Sequence, residues 1–597
     1  MSPDTKLNTV PWDLTRLYPS SGDPAITADM DEAMEAVKSF RARYHGKLTA
    51  ETLTPEELKK AVMAVEAIQA TALKPYWYAS LLFSANTEKD AHKGLIQKMR
   101  EFFAALRHEI LFFELELLAI PDAAFHRLIA DDTLSDYRHY LNHVRVFKPH
   151  TLSEQEEQIC NLKDLTGKQA FSQLFDEVTA SFRYRLNLEG EEKDYTGEEL
   201  LAMLHHPDGK IREQAFSAFL ERHGEHALVL STVFNNIFLD HGKECALRGY
   251  DDPMTATHLT NELSHEAIEE MMQVSETHYP LAQEYFTIKA RLLNVAKLKN
   301  SDVYAPLWDV KKTILFDEAR SLVLEAFSNF SGEMGRIAQG FFDERRIDSE
   351  IRPGKTSGAF CAGLTPRLAP YVLMNYTGNL RDVSTLAHEL GHGVHFTLAG
   401  KQSLVNYDAV LPMAETASVF GEMLLTRLLL GRENDPKVRA SILSAKIEDI
   451  IATTFRQNVL TRFEIKAHGL RQEKLLTAED FCQLWWEENA RLYGDAVEMI
   501  PPYKWGWSYI SHFIHARFYC YSYVFGELLV LSLYQKYLDE GDRFVPKYLD
   551  LLGAGGSDSP PKLLTSLGVD VNDRRFWEGG YTLLGNLIDE LKKTLSL

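Results

Sequence analysis

His388-Glu389-Leu390-Gly391-His392 places two imidazoles four residues apart, with a carboxylate directly after the first. At 3.6 residues per turn, side chains at i and i+4 share a helix face, so both rings can reach one metal ion from a rigid support. Glu389 stands at the edge of that face. It is poorly placed to ligate beside both histidines, yet well placed to take a proton from a water that the metal activates. The flanking residues predict the helix itself. Asn379-Leu380-Arg381-Asp382 offers N-cap candidates, Val383, Leu386, Ala387, Leu390, Val394 and Leu398 recur at helical spacing, and Gly400 supplies a stop. Gly391 and Gly393 each cost a helix about 1 kcal/mol relative to alanine, so another part of the backbone is expected to come close to them, beside the metal.

This spacing is the one zinc-dependent peptide hydrolysis needs. A catalytic zinc takes three protein ligands and keeps one position open, which calls for a third ligand on a nearby element. Glu415, 27 residues beyond His388, is the best candidate. It falls early in a second apolar-patterned segment, Met413 to Leu430, expected to be helical after the breaker Pro412, and a helix-loop-helix return can carry it back to the first helix. Ser418 and Glu422 continue the face of Glu415 and are positioned to hydrogen-bond the ligands. Asp408 and Glu422 compete with Glu415 as ligands.

His388-Glu-Leu-Gly-His-Gly-Val-His395 followed by Glu415-Thr-Ala-Ser-Val-Phe-Gly-Glu422 resembles the thimet oligopeptidase and oligoendopeptidase F family of zinc metallopeptidases. Thermolysin-type enzymes typically carry aspartate four residues after the ligand glutamate; Val419 stands there instead. Trp12-Asp13-Leu14 with Leu17-Tyr18-Pro19, Arg248-Gly249-Tyr250 and the 358–376 segment are also similar to oligoendopeptidase F, so the resemblance spans nearly the whole chain. It implies one zinc per chain held by His388, His392 and Glu415, with Glu389 as base and proton shuttle. It also implies a mainly α-helical body with a small β-sheet beside the zinc core, and a helical cover over a deep internal cavity that admits oligopeptides and excludes folded proteins.

The segment His512 to Tyr523 resembles the family's late His/Tyr region, whose residues hydrogen-bond the tetrahedral intermediate and the substrate backbone. On that resemblance His512, Tyr519 and Tyr523 are chosen as donors, and one continuous helix would put the two tyrosines within about 20° of His512 around its axis. Tyr521 would face the other way and is kept in reserve, since the aromatic run also reads as a strand. The chain departs from the family pattern here by about one extra residue and by a second histidine, His515. Upstream, Pro370 to Tyr376 reads as a strand beside the site, able to pair with an extended peptide as an edge strand does, with Gly358 to Gly363 as a flexible wall.

The remaining features bound the setting. A net charge of −21 opposes nucleic-acid binding. Cys160, Cys245, Cys361, Cys482 and Cys520 are scattered, with no C-x-x-C pair, which fits a reducing compartment. Met1 to Lys6 lacks a signal-peptide pattern and no apolar tract is long enough to span a bilayer, so a cytoplasmic protein without membrane contact is expected. Pro55 to Leu73, Asp90 to Leu118, Ser264 to Val295 and Asp317 to Phe342 read as long helices. A hairpin near Phe182 to Leu188 marks a boundary near residue 195, dividing a covering region, 1–195, from a catalytic region, 196–597.

An oligopeptide-cutting zinc endopeptidase therefore leads. A carboxypeptidase-type exopeptidase and a noncatalytic peptide-binding protein are the alternatives. Glu389 speaks against the last, because holding zinc needs the ligands and not the base.

Overall fold

Long apolar periodicity becomes helix in this chain: 71% of it is helical and its sheets are small. The computed structural model describes residues 7–188, 190–308 and 313–597. Met1 to Lys6, read above for a leader, lies outside them. Among the described residues no helix is long and apolar enough to cross a membrane.

Three of the four long helical runs are broken in two. Asp90–Ile110 gives way to Phe112–Ala119, His265–Thr277 to Tyr279–Leu292, and Phe316–Phe330 to Gly332–Asp343. In the last case Ser331 adopts an extended backbone and its hydroxyl accepts the N–H groups of Glu333 and Met334, starting a new helix. The first run, by contrast, extends to Pro55–Ala85 and carries Pro75 inside it.

The chain forms two compact units that interleave along the sequence. One comprises Met1–Lys148, Lys311–Arg432 and Lys536–Asp570; the other comprises Pro149–Val310, Glu433–Gln535 and Val571–Leu597. In the first unit, Pro24–Tyr44, Pro55–Ala85 and Asp90–Ile110 pack into one apolar core that also receives Tyr371, Ala362 and Leu364. Trp12 meets Tyr371 edge-on at 6.1 Å. A three-stranded sheet lies in this unit, with Ile347–Asp348 parallel and Phe360–Ala362 antiparallel to a central Tyr371–Leu373. The expected edge strand is therefore the centre of the sheet, buried throughout. Phe360–Ala362, expected to be a flexible wall, is the edge.

In the second unit, Tyr184–Leu188 and Glu191–Tyr195 form the expected hairpin. The helix Ala227–Arg248 stops at Gly249, whose φ of +69° suits glycine, and Arg248 grips Glu157 through two bonds of 2.8 and 2.9 Å.

The helix Leu380–Ala399 begins as expected. Asn379 and Asp382 form a reciprocal capping box. Its glycines have separate reasons. A Cβ on Gly391 would stand 2.4 Å from the Ala417 carbonyl oxygen and 2.6 Å from the Ser418 Cα. Gly421 answers it from the helix Ser418–Arg432, where a Cβ would come 3.0 Å from the Ala387 carbonyl. Gly393 instead makes room for the Phe341 ring, 2.3 Å from its would-be Cβ; its reason is core packing, not the metal.

Because backbone cannot swing aside as a side chain can, Gly391→Ala should cost about 2 kcal/mol or more and force the two helices apart. A lowered melting temperature and weakened metal binding are expected together, and wild-type values for both would refute the close-approach account.

Candidate metal centre

His388 and His392 project from one face of Leu380–Ala399, with ring centroids 4.8 Å apart. Glu415 meets them from a different backbone than expected. Pro412 lies in the first turn of a short helix, Leu411–Ala414, and Glu415 caps its end at φ −82°, ψ 0° before the chain re-enters helix at Ser418–Arg432. The expected continuous helix is thus a turn between two helices. Tyr548 stabilises that turn by donating to the Thr416 carbonyl at 2.7 Å.

The Nε2 atoms of both histidines stand 3.4 Å from Glu415 Oε2. The three ligand atoms all lie within 4.8 Å of one another. Around a tetrahedral ion with bonds of about 2.1 Å, ligand atoms are separated by about 3.4 Å, so the residues fit a dication. Neighbouring groups hold them in register. His388 donates from Nδ1 to Glu422 Oε1 at 2.7 Å, which turns the Nε2 lone pair towards Glu415. Ser418 Oγ donates to Glu415 Oε2 at 2.6 Å. The Ala414 carbonyl faces the His392 and His395 rings and favours their protonated forms. Glu422 therefore orients a ligand, and Asp408 lines the same cavity without joining the ligand cluster.

Glu389 is 6% exposed. Its Oε2 is buried with no hydrogen-bond partner, while the Cys361 N–H on the edge strand lies near its carboxylate and favours the ionised form. Burial chiefly, opposed by His388 and reinforced by Glu415 and Glu422, pushes this carboxyl up to about 7. An orphaned carboxylate oxygen of this kind is costly unless something completes it. Burial pulls His388 down, but the Glu422 hydrogen bond and charge, with Glu415 and Glu389, outweigh it and raise the imidazole to about 9. His392, chiefly by burial, falls to about 4. These groups share a cavity of about 580 Å³ with Phe360, Cys361, His395 and Tyr407.

The Peptidase family M3 model matches residues 202–583, and the Oligopeptidase F model matches residues 116–184. The chain belongs to peptidase family M3. It is 26% identical to oligopeptidase PepF of Bacillus subtilis over 98% of this chain and 87% of that one. It is 25% identical to the chromosomal oligoendopeptidase F of Lactococcus lactis subsp. cremoris, over 98% and 96% of the two chains. Its fold matches the crystal structure of oligoendopeptidase-F from Enterococcus faecium with a TM-score of 0.72 at 24% identity, covering 97% of this chain and 100% of that one. Membership makes the chain a metallo-endopeptidase, a hydrolase of peptide bonds.

In this M3 peptidase the late aromatic segment lies in the second unit and is not one helix. His512–His515 is a single turn, and helix resumes only at Tyr521–Glu540. Between them Phe518 has φ +54°, and its N–H donates to the buried Glu464 carboxylate at 2.8 Å. The loop still gathers the three chosen residues. Tyr519 stacks on His512 at 5.5 Å, and the Tyr523 hydroxyl lies 3.3 Å from His512 Nε2. Tyr521 points elsewhere, bonded to Asn261 at 2.7 Å, and His515 contacts Asp176.

Two site features escaped the sequence. The Cys361 N–H is a backbone group with no signal in residue type. His395 sits seven residues from His388 on the same helix face, so its spacing was available.

In the metal-free protein, His388 binds its proton more tightly folded than unfolded. Its contribution is therefore complete below about pH 6.5 and fades as pH rises through about 9. Glu422→Gln should lower the His388 titration midpoint seen by NMR and flatten that part of the stability profile. An unmoved midpoint would show that Glu422 does not orient the ring.

Proposed function

We propose that this M3 peptidase is a zinc-dependent endopeptidase that cuts internal bonds of short oligopeptides. His388, His392 and Glu415 hold one zinc ion, and Glu389 is the general base. The supporting observation is the convergence of three ligand atoms in one cavity with a carboxylate whose buried oxygen has no other partner. A zinc ion held there supplies Lewis acidity, polarising the scissile carbonyl and lowering the pKa of water.

Glu389 accepts the proton of the attacking water and returns it to the leaving amine. The Cys361 N–H fixes the carboxylate for both transfers. Glu422 holds His388 in the tautomer that presents Nε2, and Ser418 steadies Glu415. His512, Tyr519 and Tyr523 donate to the developing oxyanion and to the substrate backbone. The edge strand Phe360–Ala362 pairs with an extended peptide through main-chain groups, giving affinity with little side-chain preference.

Residues 1–195 form the covering region and 196–597 the catalytic one; the end of one family match at 184 and the start of the other at 202 support that boundary. Five free thiols support a reducing, cytoplasmic setting.

An internally quenched oligopeptide blocked at both ends separates this reading from an exopeptidase, which needs a free terminus. Zinc-loaded wild type should cut it, a chelator should stop the reaction, and zinc should restore it. Glu389→Gln, with zinc content unchanged, should lose about 10²- to 10⁴-fold in kcat. Wild-type inactivity at full zinc loading would sink the endopeptidase reading.

A further inference from the structure

The second unit carries an arginine that its own acidic residues leave unmatched. The helix Pro436–Ile451 continues into Gln457–Glu473 through one π-helical turn, Ala452–Arg456. Such a turn breaks the ordinary register and is frequent at functional sites. Arg456 ends it.

The guanidinium has five N–H donors. One of its terminal nitrogens donates to the Tyr509 hydroxyl at 3.1 Å, and among the described residues no carboxylate stands within ion-pair distance of it. Several other arginines of the unit are matched. Arg212 meets Asp302 at 2.8 Å, Arg248 meets Glu157 at 2.8 Å, and Arg462 meets Glu269 at 2.7 Å. Glu448, which lines a recess with Arg456, Tyr304 and Tyr493, is already taken: it holds Lys289 at 2.5 Å and accepts from the Tyr285 hydroxyl. That recess, about 20 Å³, has room for one water. Arg456, Tyr304 and Tyr509 all keep partial exposure as residues.

Arg456 also borders the His512 cluster. Burial first and the Arg456 charge second hold the His512 imidazole below its usual range. An unpaired, largely desolvated cation is unfavourable, and a planar fork of donors suits a carboxylate.

We propose that Arg456 docks a carboxylate of the peptide substrate, either its C-terminus or an acidic side chain, beside His512, Tyr519 and Tyr523. This rests on reading the chain as an oligopeptidase.

The test uses matched oligopeptides that differ only in a free or amidated C-terminus, or in an aspartate or an asparagine. Calorimetry measures their binding to the full-length Glu389→Gln protein with and without Arg456→Met. With Arg456 present, exchanging the recognised carboxylate for an amide should weaken binding about tenfold or more; in the Arg456→Met variant the difference should fall below about twofold. The pair that discriminates names the source of the carboxylate. Arg456→Lys should restore part of the difference, and Arg456→Gln replaces the methionine variant if melting shows that one unfolded. The inference is overturned if neither pair discriminates with Arg456 in place, or if discrimination survives its removal. Cleavage of the same peptides by wild type decides the oligopeptidase reading separately, because binding is read without turnover.

Discussion

The candidate metal centre depends on one backbone contact. Gly391 lets the Ala417 carbonyl and Ser418 Cα come closer than any side chain would allow, and Gly421 eases a tight approach of the Ala387 carbonyl. With the helices this close, a short turn is enough to bring Glu415 to both histidines. Everything next to Glu415 then falls into place by helical spacing. Ser418 returns to the Glu415 carboxylate, and Glu422 reaches the far nitrogen of His388. Two glycines whose intrinsic effect on a helix is unfavourable thus set the geometry of the candidate metal centre.

The charges of the site make sense only with a cation present. Glu389, Glu415 and Glu422 crowd the same imidazoles, and the repulsion among them, added to burial, drives Glu389 towards its neutral form. A protonated Glu389 cannot accept a proton from water. A dication between His388, His392 and Glu415 offsets that repulsion and favours the ionised carboxylate. On the proposed reading a metal serves the base as well as the substrate, which gives a reason for a carboxylate this buried beside two others.

Local pattern carried much of this into view. The metal-site helix, its Asn379 cap and the i, i+4 histidines are properties of neighbouring residues, so periodicity reads them directly. Glu415, Ser418 and Glu422 were legible by type and spacing. The turn that presents Glu415 was not, because it is stabilised by Tyr548, more than a hundred residues away. Strand order was hidden for the same reason. Segments of three residues look alike in sequence, and only pairing partners distant along the chain make Tyr371–Leu373 central and Phe360–Ala362 the edge. The loop after His515 follows neither the helix nor the strand that its sequence allows, because Phe518 takes a left-handed backbone that Glu464, 54 residues earlier, holds in place. No local rule assigns that conformation to phenylalanine.

The two modes of substrate recognition complement each other. On the proposed reading, main-chain pairing along Phe360–Ala362 binds any extended peptide and slides freely from one register to the next, since every residue offers the same N–H and C=O. Such binding alone would leave the cleaved bond undefined. A fixed cation cannot slide: a carboxylate held by the Arg456 guanidinium, as proposed, gives a peptide one fixed point at a cost of only one recognised group. A peptidase built this way is tolerant of sequence and selective for where charge sits in the peptide, which suits an enzyme whose substrates share length and ends more than composition.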